Sequence, residues 1–67
     1  MELRKTLNRL NDLGISTREV SINAGVRYQQ LLLFQRGIDD TISASEKESI
    51  RLYVISLASG FQKLLNE

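Results

Sequence analysis

The sequence predicts an all-α fold, a small four- to five-helix bundle in which residues 1–67 form one domain. No proline occurs, four glycines divide the chain into helix-length segments, and no segment has the alternation typical of a half-buried strand. Without cysteine or histidine, the chain has neither a disulfide nor the usual zinc ligands. A chain this short buries little surface, so we expect additional stability from oligomerisation. We expect no metal or other cofactor.

The first helix is predicted over residues 2–13. Leu3, Leu7 and Leu10 recur at helical spacing, and Gly14 follows where a helix C-cap is expected. This segment alternates leucine with charge and has no continuous apolar run, so it fits neither a signal peptide nor a membrane span. These features favour a cytoplasmic protein that does not interact with membranes.

Two short helices are predicted next. In the tetrapeptide STRE, Ser16 can accept from the backbone amide of Glu19 while the glutamate side chain reaches back to the serine amide. This capping box predicts the start of the second helix, which ends near Gly25. The third helix runs from about Arg27 to Arg36.

The last helix follows a loop with the sequence GIDDTIS. Either Ser43 with Glu46 or Ser45 with Glu48 can cap it. Gly60 lies inside the predicted helix, where it either bends the helix or splits it in two.

Residues 45–66 carry an apolar stripe that is broader than one small core needs. We expect Ile50 and Val54 to cover the preceding helices, so that this segment contributes to the core. The residues beyond them are predicted to form a homodimer interface: Leu57, Phe61, Leu64 and Leu65.

Charge is unevenly distributed along the chain. The formal net charge is +1, but residues 1–37 carry +3 and residues 38–67 carry −2. The six basic side chains of the first part are Arg4, Lys5, Arg9, Arg18, Arg27 and Arg36. The amino-terminal part is therefore the candidate nucleic-acid side, and the carboxy-terminal part is the candidate partner side.

Signatures of an enzyme are poor. Histidine, the commonest general base, and cysteine nucleophiles are absent, and no serine lies in a nucleophile elbow. Asp39 and Asp40 are adjacent but lack a spaced set of further ligands, so a turn is the favoured interpretation. We predict no catalytic residues, no metal site and no small-molecule substrate.

Residues 16–37 follow a recognisable pattern of polar, small and apolar positions around a Gly-Val turn. The positions are filled by Thr17, Val20, Ser21, Gly25, Val26, Leu31 and Phe34. This pattern resembles the helix-turn-helix regulators of the phage repressor and Cro type (XRE-like), which often close the recognition helix at a glycine such as Gly37. The resemblance implies a lambda-repressor-like domain that binds an inverted repeat of double-stranded DNA as a dimer.

The sequence departs from that family pattern at several positions. Ser21 replaces the usual alanine, and Arg27 replaces a serine or threonine cap, which predicts an irregular start to the third helix. Asp39 and Asp40 stand where relatives commonly have basic residues against the phosphate backbone, and this lowers the expected DNA affinity.

Orientation of the third helix follows from a helical wheel. If Leu31 and Phe34 point inward, four residues point outward: Gln29, Leu32, Leu33 and Arg36. Tyr28 and Gln30 lie on the flanks of this face. Glutamine can pair with adenine, arginine with guanine or phosphate, and leucine with the methyl group of thymine.

The resemblance assigns roles to individual residues. It implies that Arg27, Tyr28, Gln29 and Leu33 lie nearest the base edges, and that Gln30 and Arg36 belong to the same DNA-binding set. Thr17 and Arg18 are expected to contact phosphate at the start of the second helix.

Two alternatives remain for the leucines. Leu32 and Leu33 can pack against the carboxy-terminal helix, with the glutamines as ordinary solvated residues. Alternatively, the helix-turn-helix shape can serve as a protein-interaction module that binds a protein partner through these leucines and the last helix.

Overall fold

The structure, a computed structural model, describes residues 2–66 and is all-helical over that range. Four α-helices occur in order: α1 Leu3–Asp12, α2 Thr17–Ala24, α3 Tyr28–Gln35 and α4 Ala44–Leu65. A short 3₁₀ helix, Asp39–Thr41, connects α3 to α4. The fold class predicted from the sequence is confirmed, with the predicted helices displaced by no more than about two residues at their ends.

Serine caps begin α2 and α4. The Ser16 hydroxyl accepts from the Glu19 amide at 3.0 Å, although the Glu19 carboxylate lies near that hydroxyl instead of the serine amide. Ser43 and Glu46 form the complete reciprocal box, with bonds of 3.1 and 3.0 Å. Of the two capping pairs the sequence allowed for α4, the structure selects this one.

Two glycines have contrasting roles. Gly25 ends α2 in the left-handed conformation, with φ of 70°. This backbone conformation is strained for a residue that has a side chain. Gly60 has ordinary helical geometry, and α4 continues through it to Leu65. The last element is therefore one helix of 22 residues.

The core is formed where α2 packs on α3 and α4, with α3 also contacting α1 and the 3₁₀ helix. Leu31 and Phe34 are buried, so the predicted inward face of α3 is confirmed. The buried apolar residues are Leu3, Leu7, Leu10, Val20, Val26, Leu31, Phe34, Ile42 and Ile50. This face of α3 is therefore fixed, and its opposite face is turned outward.

Arg4 joins α1 to the end of α3. Its Nε donates to the Phe34 carbonyl at 2.8 Å, and its Nη2 donates to the Asp39 carboxylate at 2.6 Å. The guanidinium also lies 4.6 Å from the centre of the Phe34 ring. The hydrogen bond and charge of Arg4 hold the pKa of Asp39 below its ordinary value of 3.8.

The distal end of α4 extends past this core. Ile50 is fully buried, and Val54 and Leu57 pack partly against the core, whereas Phe61 and Leu64 are exposed. A helix of 22 residues is about 33 Å long, and the domain measures 41 × 23 × 20 Å. Within residues 2–66, no helix combines the length and apolarity that a membrane crossing requires.

Candidate nucleic-acid interface

The helix–turn–helix unit consists of α2, α3 and the three residues between them. Val26 in this turn is buried, and its amide donates to the Ser21 carbonyl at 3.0 Å. Arg27 has extended backbone angles and gives no side-chain cap, yet α3 begins cleanly at Tyr28. The irregular start expected from this arginine is therefore not observed.

Glu46, in the first turn of α4, lies near this turn. Hydrogen bonding to the Ser43 amide lowers the pKa of Glu46 below its ordinary value of 4.5, and the charge and backbone amide of Arg27 lower it further. The carboxylate therefore faces the residue that precedes α3.

The outward face of α3 combines amide, guanidinium and aliphatic groups. Gln29 and Arg36 are exposed, while Leu32 and Leu33 are half-buried. Tyr28 and Gln30, on the flanks, are also half-buried. Residues three and four positions apart are neighbours on a helix surface, so Leu33 adjoins Gln29, Gln30 and Arg36.

Leu32 and Leu33 have different surroundings. Leu32 lines an open depression of about 380 Å³, together with Gly14, Thr17 and Tyr28. It therefore faces α2 and the α1–α2 turn, and not the carboxy-terminal helix that the alternative interpretation required. Leu33 does not line this depression and remains with the glutamines and Arg36.

Arg18 and Tyr28 form the centre of the surface. The Arg18 guanidinium lies 5.7 Å from the centre of the Tyr28 ring, in the range of a cation–π contact. Both residues border the depression beside Leu32 and a second one of about 670 Å³, which Arg27, Gln29 and Gln30 also line. Most of the predicted DNA-binding residues thus share one continuous surface.

Thr17 is placed differently from the other predicted contacts. It is 8% exposed, and its hydroxyl donates to the Gln35 side chain at 2.6 Å. The Gln35 amide in turn donates to Asn8 at 2.9 Å and to Asn11 at 2.7 Å. The hydroxyl is thus engaged within the protein, which leaves Thr17 its backbone amide in the first turn of α2 for a phosphate.

The sequence interpretation missed this polar network, which connects α1, α2 and α3. The sequence feature that could have indicated this network is the pair Asn8 and Asn11, which lie three residues apart on α1 and beside the leucine stripe. Gln35 is the corresponding polar position on the inward flank of α3, and it is half-buried.

The basic charge of residues 1–37 is partly neutralised by nearby carboxylates. Arg4 pairs with Asp39, and Lys5 lies 3.6 Å from Glu2. The other four basic residues are exposed and form no ion pair with a carboxylate of residues 2–66: Arg9, Arg18, Arg27 and Arg36. Three of these arginines belong to the helix–turn–helix unit or the residues that flank it.

A second, apolar surface lies at the end of α4. Leu13, Phe61, Leu64 and Leu65 line an open cleft of about 470 Å³. Leu57, which the sequence assigned to the same interface, packs partly against the core instead. Leu13 was not predicted, because it follows the regular leucine stripe of α1 and gives no sign of its neighbours near the end of α4.

No three His, Cys, Asp or Glu side chains among the described residues are arranged to hold a metal ion. Comparisons with protein-family models, with curated proteins and with solved structures each found no match. The likeness to helix-turn-helix regulators therefore rests on the residues of 16–37 and on the arrangement of α2 and α3.

Proposed function

We propose that this chain is a cytoplasmic, sequence-specific DNA-binding regulator of the phage repressor or Cro type. As a homodimer it occupies an inverted repeat and controls access of polymerase to the neighbouring promoter. The observation that carries the proposal is the surface around α3, where Gln29 and Arg36 are exposed, and where Arg18 and Arg27 line the depression beside Gln29. No cofactor is required for this mechanism.

The chemistry of the surface suits the major groove. An α-helix fits the groove, and the Gln29 amide can donate to adenine N7 and accept from adenine N6. Arg18 and Arg27, which have no carboxylate partner within residues 2–66, are available to phosphate oxygens. Each phosphate neutralised adds about 0.9 to the slope of log affinity against log salt.

Dimerisation through the end of α4 supports the same function. Leu13 is 74% exposed, and Phe61, Leu64 and Leu65 are 50, 68 and 84% exposed. Pairing this patch with its copy removes on the order of 1,000 Å² from water, which approaches the area of a specific interface. Two-fold symmetry then puts two copies of α3 in successive major grooves about 34 Å apart.

The test begins with selection of bound genomic fragments, followed by gel-shift titration at two salt concentrations. Wild type is compared with Gln29→Ala and Arg36→Ala, and Gln62→Ala on the exposed side of α4 is the control. The expected result is an enriched inverted repeat whose binding weakens with salt and is further weakened in Gln29→Ala and Arg36→Ala but not in Gln62→Ala. A folded dimer that enriches no fragment contradicts the proposal.

The second candidate is a protein-interaction module that binds its partner through Leu32, Leu33 and the apolar end of α4. The apolar cleft beside Leu13 and the acidic 3₁₀ helix favour it. The two functions respond differently to salt, because leucine contacts release no counterions. Binding that is insensitive to salt and independent of DNA supports this candidate.

A further inference from the structure

We propose that α3 reads A·T base pairs, with Leu33 against the C5-methyl group of thymine and Gln29 on adenine. This inference rests on the proposed function and specifies the class of DNA sequence that the same surface binds.

The inference begins with the groups that the surface offers. Between Glu19 and Asp39 the chain contains no carboxylate, so neither α3 nor the turn before it has an Asp or Glu to accept from the N4 amino group of cytosine. The outward face instead presents an amide at Gln29 and an aliphatic side chain at Leu33. These are the two groups that match the two bases of an A·T pair in the major groove.

Leu33 is the leucine placed to do this. Its neighbours three and four positions away are Gln29, Gln30 and Arg36, all of which carry hydrogen-bonding groups. Leu32 has Gln29 and Arg36 at the same spacing, but it borders the depression beside Gly14, on the side of the α1–α2 turn. The two adjacent leucines thus have different surroundings: Leu33 lies on the outward face of α3 among polar groups, and Leu32 lies beside α2.

Thymine fits this arrangement better than cytosine. Its methyl group lies beside the O4 acceptor in the major groove, so one base pair presents an apolar group to Leu33 and a polar edge to Gln29. A cytosine has a hydrogen in place of the methyl group, so it leaves the leucine facing a gap. Arg36 remains free for guanine or phosphate at the end of the site.

The test uses two pools of randomised DNA duplexes, one made with thymidine and the other with deoxyuridine, which lacks the methyl group alone. Selection from the first pool is expected to enrich A·T pairs within each half-site. Deoxyuridine in the enriched duplex is expected to weaken wild-type binding about fourfold for each contacted methyl group.

Leu33→Ala should bind the thymidine and deoxyuridine forms of the enriched duplex equally, whereas Leu32→Ala should retain the wild-type ratio. Equal wild-type affinity for the two forms, with DNA binding intact, overturns the A·T inference and leaves the proposed function standing. Loss of the ratio in Leu32→Ala overturns the assignment to Leu33. Failure to bind either pool overturns both the inference and the proposed function. The wild-type comparison decides even if Leu33→Ala does not fold.

Discussion

The face of α3 and the free end of α4 both expose leucines, but in different chemical surroundings. Leu33 adjoins glutamine and arginine, whereas Leu64 lies in a cleft with Leu13 and Phe61. An apolar group among hydrogen-bonding groups matches a partner of mixed polarity, such as a base edge. An apolar group among its own kind matches a second apolar surface.

The two regions also differ in how they are held. The helix–turn–helix unit is held by side-chain hydrogen bonds: Thr17 of α2 donates to Gln35 of α3, and the Gln35 amide donates to Asn8 and Asn11 of α1. The end of α4 has no comparable side-chain bond beyond Arg51 within residues 2–66. The first region is therefore pre-organised by the fold, while under the proposed dimerisation the second gains its packing partner by association. This contrast predicts that substitutions at the two surfaces have separable effects.

The largest expected effect is at the end of α4. Replacing Phe61 and Leu64 with aspartate should give a folded monomer by sedimentation, because both side chains are exposed. DNA affinity should fall about 10²- to 10⁴-fold, since binding loses the advantage of two linked sites. The matched control replaces Leu52 and Ile55 with aspartate, because these side chains are similarly exposed on another side of α4. This control variant should remain dimeric. A dimer that persists in the first variant moves the interface elsewhere.

The next effect separates two kinds of contact within the α3 surface. Gln29→Ala should cost about 1 to 3 kcal/mol on the selected site and relax base choice at one position. Arg18→Ala should weaken binding to all sequences alike and lower the salt slope, since phosphate contacts carry no sequence information. Titration of each variant against selected and unrelated duplexes checks both. If the two variants behave identically, the distinction between a base contact at Gln29 and a phosphate contact at Arg18 is wrong.

Much of the fold was predictable because its signals are local. Glycines and serine caps mark helix ends within a few residues of one another, and the Ser43–Glu46 box and the Gly25 C-cap are observed. The spacing of Leu31 and Phe34 fixed the orientation of α3, which determines the exposed positions of the candidate surface.

Long-range pairings were not predictable from these signals. Arg4 was counted as a basic residue of the nucleic-acid side, yet its guanidinium binds Asp39, 35 positions away. Thr17 was recognised from its position at a helix start, and that position does not indicate that its hydroxyl donates to the Gln35 side chain. Periodicity shows which face of a helix is buried, but the partner on that face depends on how the helices pack.

A smaller effect is expected from the polar network under the helix–turn–helix unit. Thr17→Val removes a buried hydroxyl and leaves the Gln35 side-chain oxygen without its donor. The free energy of unfolding should fall by about 1 to 3 kcal/mol. Urea titration measures this, with Thr17→Ser, which keeps the hydroxyl, as the control. If valine is as stable as threonine, the bond to Gln35 contributes little to fixing α3 on α2.

The smallest effect concerns acid stability at the Arg4–Asp39 pair. Arg4 holds the pKa of Asp39 below 3.8, so the folded protein binds fewer protons at this group than the unfolded chain. The stability it contributes is present above the unfolded value and is lost as the pH falls below 3.8 through the folded pKa. Wild type should therefore exceed Asp39→Asn in urea midpoint at about pH 6, and the difference should vanish at about pH 2. The change should be small because the carboxylate is exposed and Arg4 keeps its bond to the Phe34 carbonyl. A difference that persists unchanged in acid would show that the asparagine acts through the 3₁₀ helix and not through the charge.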